Sequence, residues 1–439
     1  MKKIIAGALL LTALASPLCA EEKISAVMDI KEAVSLTLDK NAELRSLREE
    51  LLRAEAFGLM ADGTWLPSIG AAGQAKKQKE RVFVTDAPDK KDSHNVTASL
   101  KQTLYSGGRD SAVRRQAPQR LRIADYIVTQ GENKAIGEVF ARFYRVILNK
   151  ERIAAEESAV KTSELHLKEV EKMSELGLAN KLDVIRAAQQ LAGNTADLTE
   201  ARGKYESSLI QLKNYMALPP STEFDVAGEL FVPVPEGSRE KSLSTAMSLR
   251  PDLGQLSEEV RFLINQLEIE NSGIRPKIYF NASAGQVNPY DRHDQTGDTW
   301  RGDITVEVPL FDRNITRSKV LAAKADLNKG RISKEQKEVD ILSEVDMAWT
   351  EIEISHSHLK ASGKALELAR EALRLAQVGY REGVTPQIDL LEAQTTLTDA
   401  QLEYISSKYN SLITVVSLKM TEGTINEWVK ESDFNERRK

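Results

Sequence analysis

The sequence predicts a mainly α fold with a small β part: long antiparallel helical hairpins, one in each half of a duplicated chain, and four β-strands per chain. Three observations lead there. First, the chain repeats itself at a shift of about 206 positions, which aligns Leu104 with Leu310, Leu167 with Leu373, Gly177 with Gly383, Asp183 with Asp389, Ala187 with Ala393, Leu191 with Leu397 and Leu212 with Leu418. Self-similarity at that distance is one duplication, not a short-repeat solenoid. Second, each half holds a very long helix-forming run, 109–176 and 314–381, which at 1.5 Å per residue spans about 100 Å. Third, each half holds a pair of segments that alternate apolar and polar residues, the signature of strands with one wet and one dry face.

Composition narrows the function. Of 439 residues, 41% are hydrophobic, 28% charged and only 5% aromatic. That mixture suits a long, thin molecule whose side chains stay wet rather than a thick globular core. The net charge of -5 argues against a nucleic-acid partner, which favours a basic face. Cys19 is the only cysteine, so a disulfide framework and a cysteine zinc site are both excluded within one chain. No catalytic or metal signature stands in the sequence, neither a P-loop, H-E-x-x-H, G-x-S-x-G nor paired C-x-x-C. His356 and His358 are i, i+2 on a helix and do not share a face. The expectation is no enzyme, no cofactor and no metal site.

In chain order, residues 1–20 read as a signal peptide: Lys2-Lys3, then an apolar run from Ile4 to Ala15, too short to cross a bilayer. Cleavage after Ala20 removes Cys19; cleavage after Ala15 keeps it. The first repeat, 21–216, begins with a helix over about 27–61. Strands come next at 64–80 and 94–106, where Val96, Ala98, Leu100 and Leu104 alternate with polar residues. Helix 109–176 carries Pro118, Gly131 and Gly137, which are expected to bend or interrupt it. Leu-Gly-Leu-Ala-Asn at 176–180 turns the chain into a helix over about 180–217. Pro219, Pro220, Pro233 and Pro235 make 217–240 an inter-repeat linker. The second repeat, 241–422, has a helical run after Arg250-Pro-Asp-Leu253, strands at 275–289 and 299–312, helix 314–381, the turn Glu-Gly-Val-Thr-Pro at 382–386, and a helix over 386–421. Residues 423–439 form a tail. Past the signal, no run of 18 apolar residues exists, which excludes a helical span but not a β-barrel, whose strands need only about ten alternating residues.

Aromatics sit near the strand ends: Trp65, Tyr105 and Phe311 at one, Phe83, Tyr290 and Trp300 at the other. Two interfacial girdles of a barrel would look so, and so would ordinary strand-end hydrophobes of a soluble sheet. Four strands cannot close a usable barrel, and open edges are too costly in lipid. Membrane strands would therefore have to be pooled from several chains, and three chains give twelve.

The chain resembles the TolC-type outer-membrane efflux proteins over essentially its whole mature length. The matching pieces, in order and duplicated, are Ala-Glu-Leu (42–44) and Pro-Asp-Leu (251–253), Leu-Pro (66–67) and Arg-Pro (275–276), Leu-Tyr-Ser-Gly-Gly-Arg (104–109) and Pro-Leu-Phe-Asp (309–312). They end with Gly-Leu-Ala-Asn-Lys-Leu-Asp (177–183) and Gly-Val-Thr-Pro-Gln-Ile-Asp-Leu-Leu-Glu-Ala-Gln (383–394). The resemblance implies a homotrimer with a twelve-stranded barrel in the outer membrane and a twelve-helix tunnel in the periplasm of a Gram-negative cell. It also implies docking on a periplasmic adaptor (membrane fusion) protein and an inner-membrane pump of the RND or ABC type.

Asp389 and Glu392 lie i, i+3 on one helix face. They match the family's constriction carboxylates, with Glu392 in place of an Asp. Three copies would ring the axis with like charges that attract cations. By spacing alone they are equally the acids that complement a helix N-terminus. Tyr380 and Asp183 match two of the family's latch positions. Thr385 stands where the family has its latch Arg, leaving Arg381 or Arg186 as replacements. The hairpin turns Gly177-Leu178-Ala179 and Gly383-Val384-Thr385 are the expected adaptor contacts. The competing reading is a secreted periplasmic coiled-coil scaffold without channel activity, which does not account for two alternating strand pairs at matched positions.

Overall fold

The computed structural model describes residues 27–78, 91–234, 237–288 and 296–431. The first half runs β1 (Val27–Met28), α1 (Ile30–Lys40), α2 (Ala42–Gly63), β2 (Ser68–Gln78), β3 (Lys91–Tyr105), α3 (Arg109–Glu175) and α4 (Lys181–Tyr215). After β4 (Asp225–Val226) the second half runs α5 (Arg239–Leu249), α6 (Pro251–Asn271), β5 (Lys277–Asn288), β6 (Gly297–Glu307), α7 (Ile315–Arg381), α8 (Gln387–Glu422) and α9 (Ile425–Glu431). The expected signal segment with Cys19, and Phe83 and Tyr290 in the strand loops, lie outside the described residues.

The long helices form as expected, but two local readings need correction. The helix expected over 27–61 is three elements, because Asn41 leaves the helical region at ψ 127° and caps α2. Its Oδ1 accepts from the N–H groups of Glu43 (3.0 Å) and Leu44 (3.3 Å), and its Nδ2 donates to the carbonyl of Tyr215 at 3.0 Å. That bond seats the start of α2 on the end of α4. The second correction concerns α3, which runs unbroken through Pro118, Gly131 and Gly137. The glycines are seats for neighbours. A Cβ at Gly131 would meet Leu47 of α2, and one at Gly137 would meet the thioether of Met420 from α8. Gly137→Val is expected to destabilise the protein by about 1–3 kcal/mol through overpacking, read as a lower midpoint of thermal unfolding. An unchanged midpoint would remove the seat.

The helices make one layer four wide along its length. On the strand side α2, α3, α6 and α7 lie side by side. On the far side α4 and α8 flank the same two long helices, in the order α4, α3, α8, α7. Where α6 meets α7, Arg250 bridges Asp252 (2.6 Å) and Glu344, and Lys337 reaches Asp252 at 2.9 Å. Burial works to raise the Asp252 carboxyl. The hydrogen bonds from Arg250 and Lys337 outweigh it and hold the group at about 2. The stabilisation from this carboxylate is therefore complete above its ordinary value of 3.8 and is lost as pH falls toward 2.

The main core sits at mid-length, not at either end. Ile136, Phe140, Phe143 and Ile147 of α3 pack there with Met28, Ile30 and Val34, Leu212 and Met216, Leu412 and Val416, and Ile425 of α9. The proline-rich segment between the halves takes part. Leu218, Phe224, Val226 and Leu230 are buried in it, and β4 pairs in parallel with β1. This segment belts the middle of the helical layer.

The remaining strands form one antiparallel sheet in the order β2-β3-β5-β6. Register puts like with like. Ile69 opposes Leu100, which opposes Ala282; Phe280 opposes Ile304; Ala98 opposes Ala284, which opposes Trp300. One face is thus Ile, Leu, Val, Ala, Phe and Trp. The other carries Thr97, Ser99, Lys101, Asn281, Asp303 and Thr305. Among the described residues no element covers the apolar face: Ile69, Val96, Trp300, Ile304 and Val306 are all more than half exposed.

Candidate functional site

The far ends of the two hairpins carry the candidate site. Each turn is built alike. Gly177 and Gly383 both adopt φ +74°, the left-handed conformation that costs a residue without Cβ least. The N–H groups of Leu178 and Ala179 both return to the carbonyl of Met173, and those of Val384 and Thr385 to Gly379. The tips are tight and project apolar side chains: Leu178 is 76% and Val384 78% exposed.

Helix α4 starts with a reciprocal cap. Asn180 Oδ1 accepts from the Asp183 N–H at 3.0 Å, and the Asp183 carboxylate accepts from the Asn180 N–H at 3.2 Å. So Asp183 is engaged in capping its own helix. Helix α8 starts after Pro386, and Asp389 and Glu392 both stand exposed on its first turns. Among the described residues neither has a partner within the chain. Arg186 is half-buried and Arg381 exposed, and among the described residues of the single chain neither makes an ion pair.

Sequence reasoning missed the pair that joins the two hairpins. His166 of α3 and Gln387 of α8 are both buried, at 5% and 7% exposure. Gln387 Nε2 lies 3.2 Å from His166 Nε2 and donates to the Asp183 carbonyl at 3.0 Å. One amide thus ties α8 to α3 and α4. The Tyr380 ring of α7 meets the His166 ring edge-on, centroids 5.7 Å apart, so the four residues form one junction beneath the tips. Burial lowers the His166 imidazole from its ordinary value, against the weaker pull of Glu169. Burial, then the carboxylates of Asp183 and Glu169, raise the Tyr380 phenol. Among the described residues Gln387 Oε1 is buried with no partner. The only signal in the sequence was a glutamine directly after the turn proline, Gln387 after Pro386.

At the other pole, Trp65 precedes β2, Tyr105 ends β3 and Phe311 lies just past β6, all exposed. They gather where the sheet meets the helices. Trp300, 84% exposed, lies inside β6, roughly 20 Å along the strand direction. No helix is long and apolar enough to cross a membrane among the described residues, and among those residues no group of three or more His, Cys, Asp or Glu converges on a metal position.

Known proteins share this plan. The family model described as outer membrane efflux protein matches residues 33–218 and 242–424. A probable efflux pump outer membrane protein, TtgC of Pseudomonas putida, is 20% identical over 411 residues, covering 89% of this chain and 81% of that protein. The alkaline protease secretion protein AprF of Pseudomonas aeruginosa is 24% identical over 215 residues, covering 48% of this chain and 44% of its own. Among solved structures, the Campylobacter jejuni CmeC outer membrane channel superposes with a TM-score of 0.79 at 15% identity, over 92% of this chain and 87% of the other. With a family model that spans most of the length and a fold to match, the chain belongs to the outer membrane efflux protein family and is a protein of the outer membrane.

Proposed function

We propose that three copies of this chain pool their four-stranded sheets into one twelve-stranded barrel, through which substrates leave the cell. The observation that carries this reading is the uncovered sheet. It has an apolar face, a polar face and two open edges, at β2 and β6. An open edge cannot lie in lipid, because its unpaired backbone groups cost several kcal/mol each there; closure by three copies removes the edges and puts the polar face on a water-filled lumen. The aromatics Trp65, Tyr105 and Phe311 then mark the inner membrane–water boundary, and Trp300 lies toward the outer one.

Below the barrel the helical layers of three chains close into a tunnel through the periplasm. The protein is a passive conduit with no bond-making chemistry. Energy comes from an inner-membrane pump, RND or ABC, joined through an adaptor whose contacts include the exposed tips around Leu178 and Val384. Relatives named for efflux and for protease secretion both fit such a conduit, whose cargo is chosen by its partner. Asp389 and Glu392 of three copies ring the axis at the closed end. Tyr380 and Asp183, with Arg381 or Arg186 from a neighbouring hairpin, hold that end shut.

The mature chain, purified in detergent, is expected to have three times the protomer mass by light scattering and to migrate as a heat-modifiable trimer. A monomer that needs no detergent would overturn this reading in favour of a periplasmic scaffold.

A further inference from the structure

A cavity of about 360 Å³ opens between α3, α4 and α8, on the wall above the hairpin tips. Four carboxylates line it, those of Glu156, Asp197, Glu200 and Asp399, against the two cations Arg152 and Lys204. Lys204 is already paired with Glu200, and Arg152 is tied to the Ser406 hydroxyl at 2.9 Å. The wall is prebuilt: Gln190 donates to Asn194 at 3.0 Å, and Asn194 donates to Ser163 at 2.7 Å.

Glu156 is the residue that this packing leaves unexplained. It is only 7% exposed, lines the cavity and, among the described residues, has neither a hydrogen bond nor an ion pair. Taking a carboxylate out of water without a hydrogen-bonded partner is costly, and burial together with Asp197 and Asp399 pushes its carboxyl upward against the weaker pull of Arg152. Among the described residues Gln394 Oε1, on the same wall, is likewise a buried acceptor with no donor, while the Arg152 Nε–H is a buried donor left over. The carboxylate and the amide oxygen both call for N–H groups.

A compact metal ion does not answer that demand, because among the described residues no three such ligands converge. Carboxylates spread across a cavity instead match positive groups spaced along a chain. Asp399 also lies seven positions, or two turns, beyond Glu392 on the same face of α8, with Thr395 and Thr396 between them.

We propose that this cavity binds a linear organic polyamine, one ammonium group meeting Glu156 and Gln394 and another meeting Asp399 at the rim. Resting on the conduit reading, this makes the cavity a subsite for cationic cargo or a cationic blocker on the tunnel wall. The ammonium hydrogens satisfy the orphan acceptors, and the ligand's charge offsets the acidic excess.

The test is equilibrium dialysis of labelled spermidine against the full-length protein in detergent, at low ionic strength and neutral pH. In an Asp389→Asn/Glu392→Gln background, which removes the cation-attracting ring at the tip, saturable binding of one spermidine per chain is expected, weakened at least tenfold by adding either Glu156→Gln or Asp399→Asn. Glu156→Gln is isosteric, and Asp399→Asn at the rim serves as the second probe should the first fail to fold. Absence of saturable binding, binding retained by both cavity variants, or displacement by equimolar magnesium would overturn the proposal. Because the ring is absent from every sample, the binding reports on this cavity alone, and its failure leaves the ring and conduit readings standing.

Discussion

Replacing Asp389 by Asn and Glu392 by Gln together is expected to lower the cation-to-anion permeability ratio of the closed channel by at least about tenfold. A single carboxylate about 4 Å from a permeating cation attracts it by about 1 kcal/mol even at the dielectric constant of bulk water, which is already several-fold in occupancy. A ring of such groups has a larger effect, and a narrow, low-dielectric constriction enlarges it again. Both side chains are exposed on the first turns of α8 and unpartnered among the described residues, so the substitution leaves the fold of one subunit intact. The measurement is the reversal potential across a planar bilayer under a salt gradient near 0.1 M, where the Debye length is about 10 Å. The double variant should also lose block by multivalent cations. A reversal potential equal to the parent's would place the selectivity filter elsewhere.

Acid is expected to loosen the closed tip through His166, the second large effect. With Gln387 Nε2 donating to the Asp183 carbonyl at 3.0 Å and facing His166 Nε2 at 3.2 Å, that imidazole nitrogen must be the acceptor. Protonation turns it into a donor. The Gln387 amide can then flip, offering its unpartnered Oε1 to the imidazolium, but the Asp183 carbonyl loses its donor. One of the two bonds fails in either orientation, and a buried group left unpaired costs about 1–3 kcal/mol.

The groups that face the ring are Glu169 on its own helix, Tyr380 of α7, Gln387 of α8 and the Asp183 backbone of α4. Burial lowers the imidazole in the folded state relative to 6.5. The unfolded or opened state therefore takes up the proton first. The junction is at full strength above 6.5 and weakens as pH falls from there toward the lowered value. Single-channel conductance should rise between about pH 7 and pH 5 in the parent, the range in which histidine changes charge. In His166→Gln, which keeps a neutral polar group, that rise should be absent. In Gln387→Leu the channel should be leakier already at neutral pH. A parent-like acid response in His166→Gln would assign the titration to the carboxylates of the ring instead.

The architecture was legible wherever the signal was local and periodic. The long helix-forming runs 109–176 and 314–381 marked the two long helices to within a residue or two of Arg109–Glu175 and Ile315–Arg381. The turns at Gly177 and Gly383 were readable because a left-handed backbone at a helix end demands glycine. The alternation of β3 and β6 foretold the one-sided sheet. Pro118, Gly131 and Gly137 misled, because propensity speaks for an isolated helix. In the fold, α3 is clamped on both sides, and the glycines make room for Leu47 and Met420.

By itself the sequence determined the duplication, the lengths of the helices, the places where they turn and the two-faced strands, since all of these come from backbone geometry and the period of apolar residues. Only the tertiary structure decided which residues from distant segments share a site. It brought His166 to Gln387 across 221 positions and, among the described residues, left Glu156 without a hydrogen bond or ion pair in a cavity wall. It also drew the proline-rich segment into the mid-length core. The physical reason is that burial and hydrogen-bond partnership depend on how helices align side by side, a relation that no local window of sequence contains.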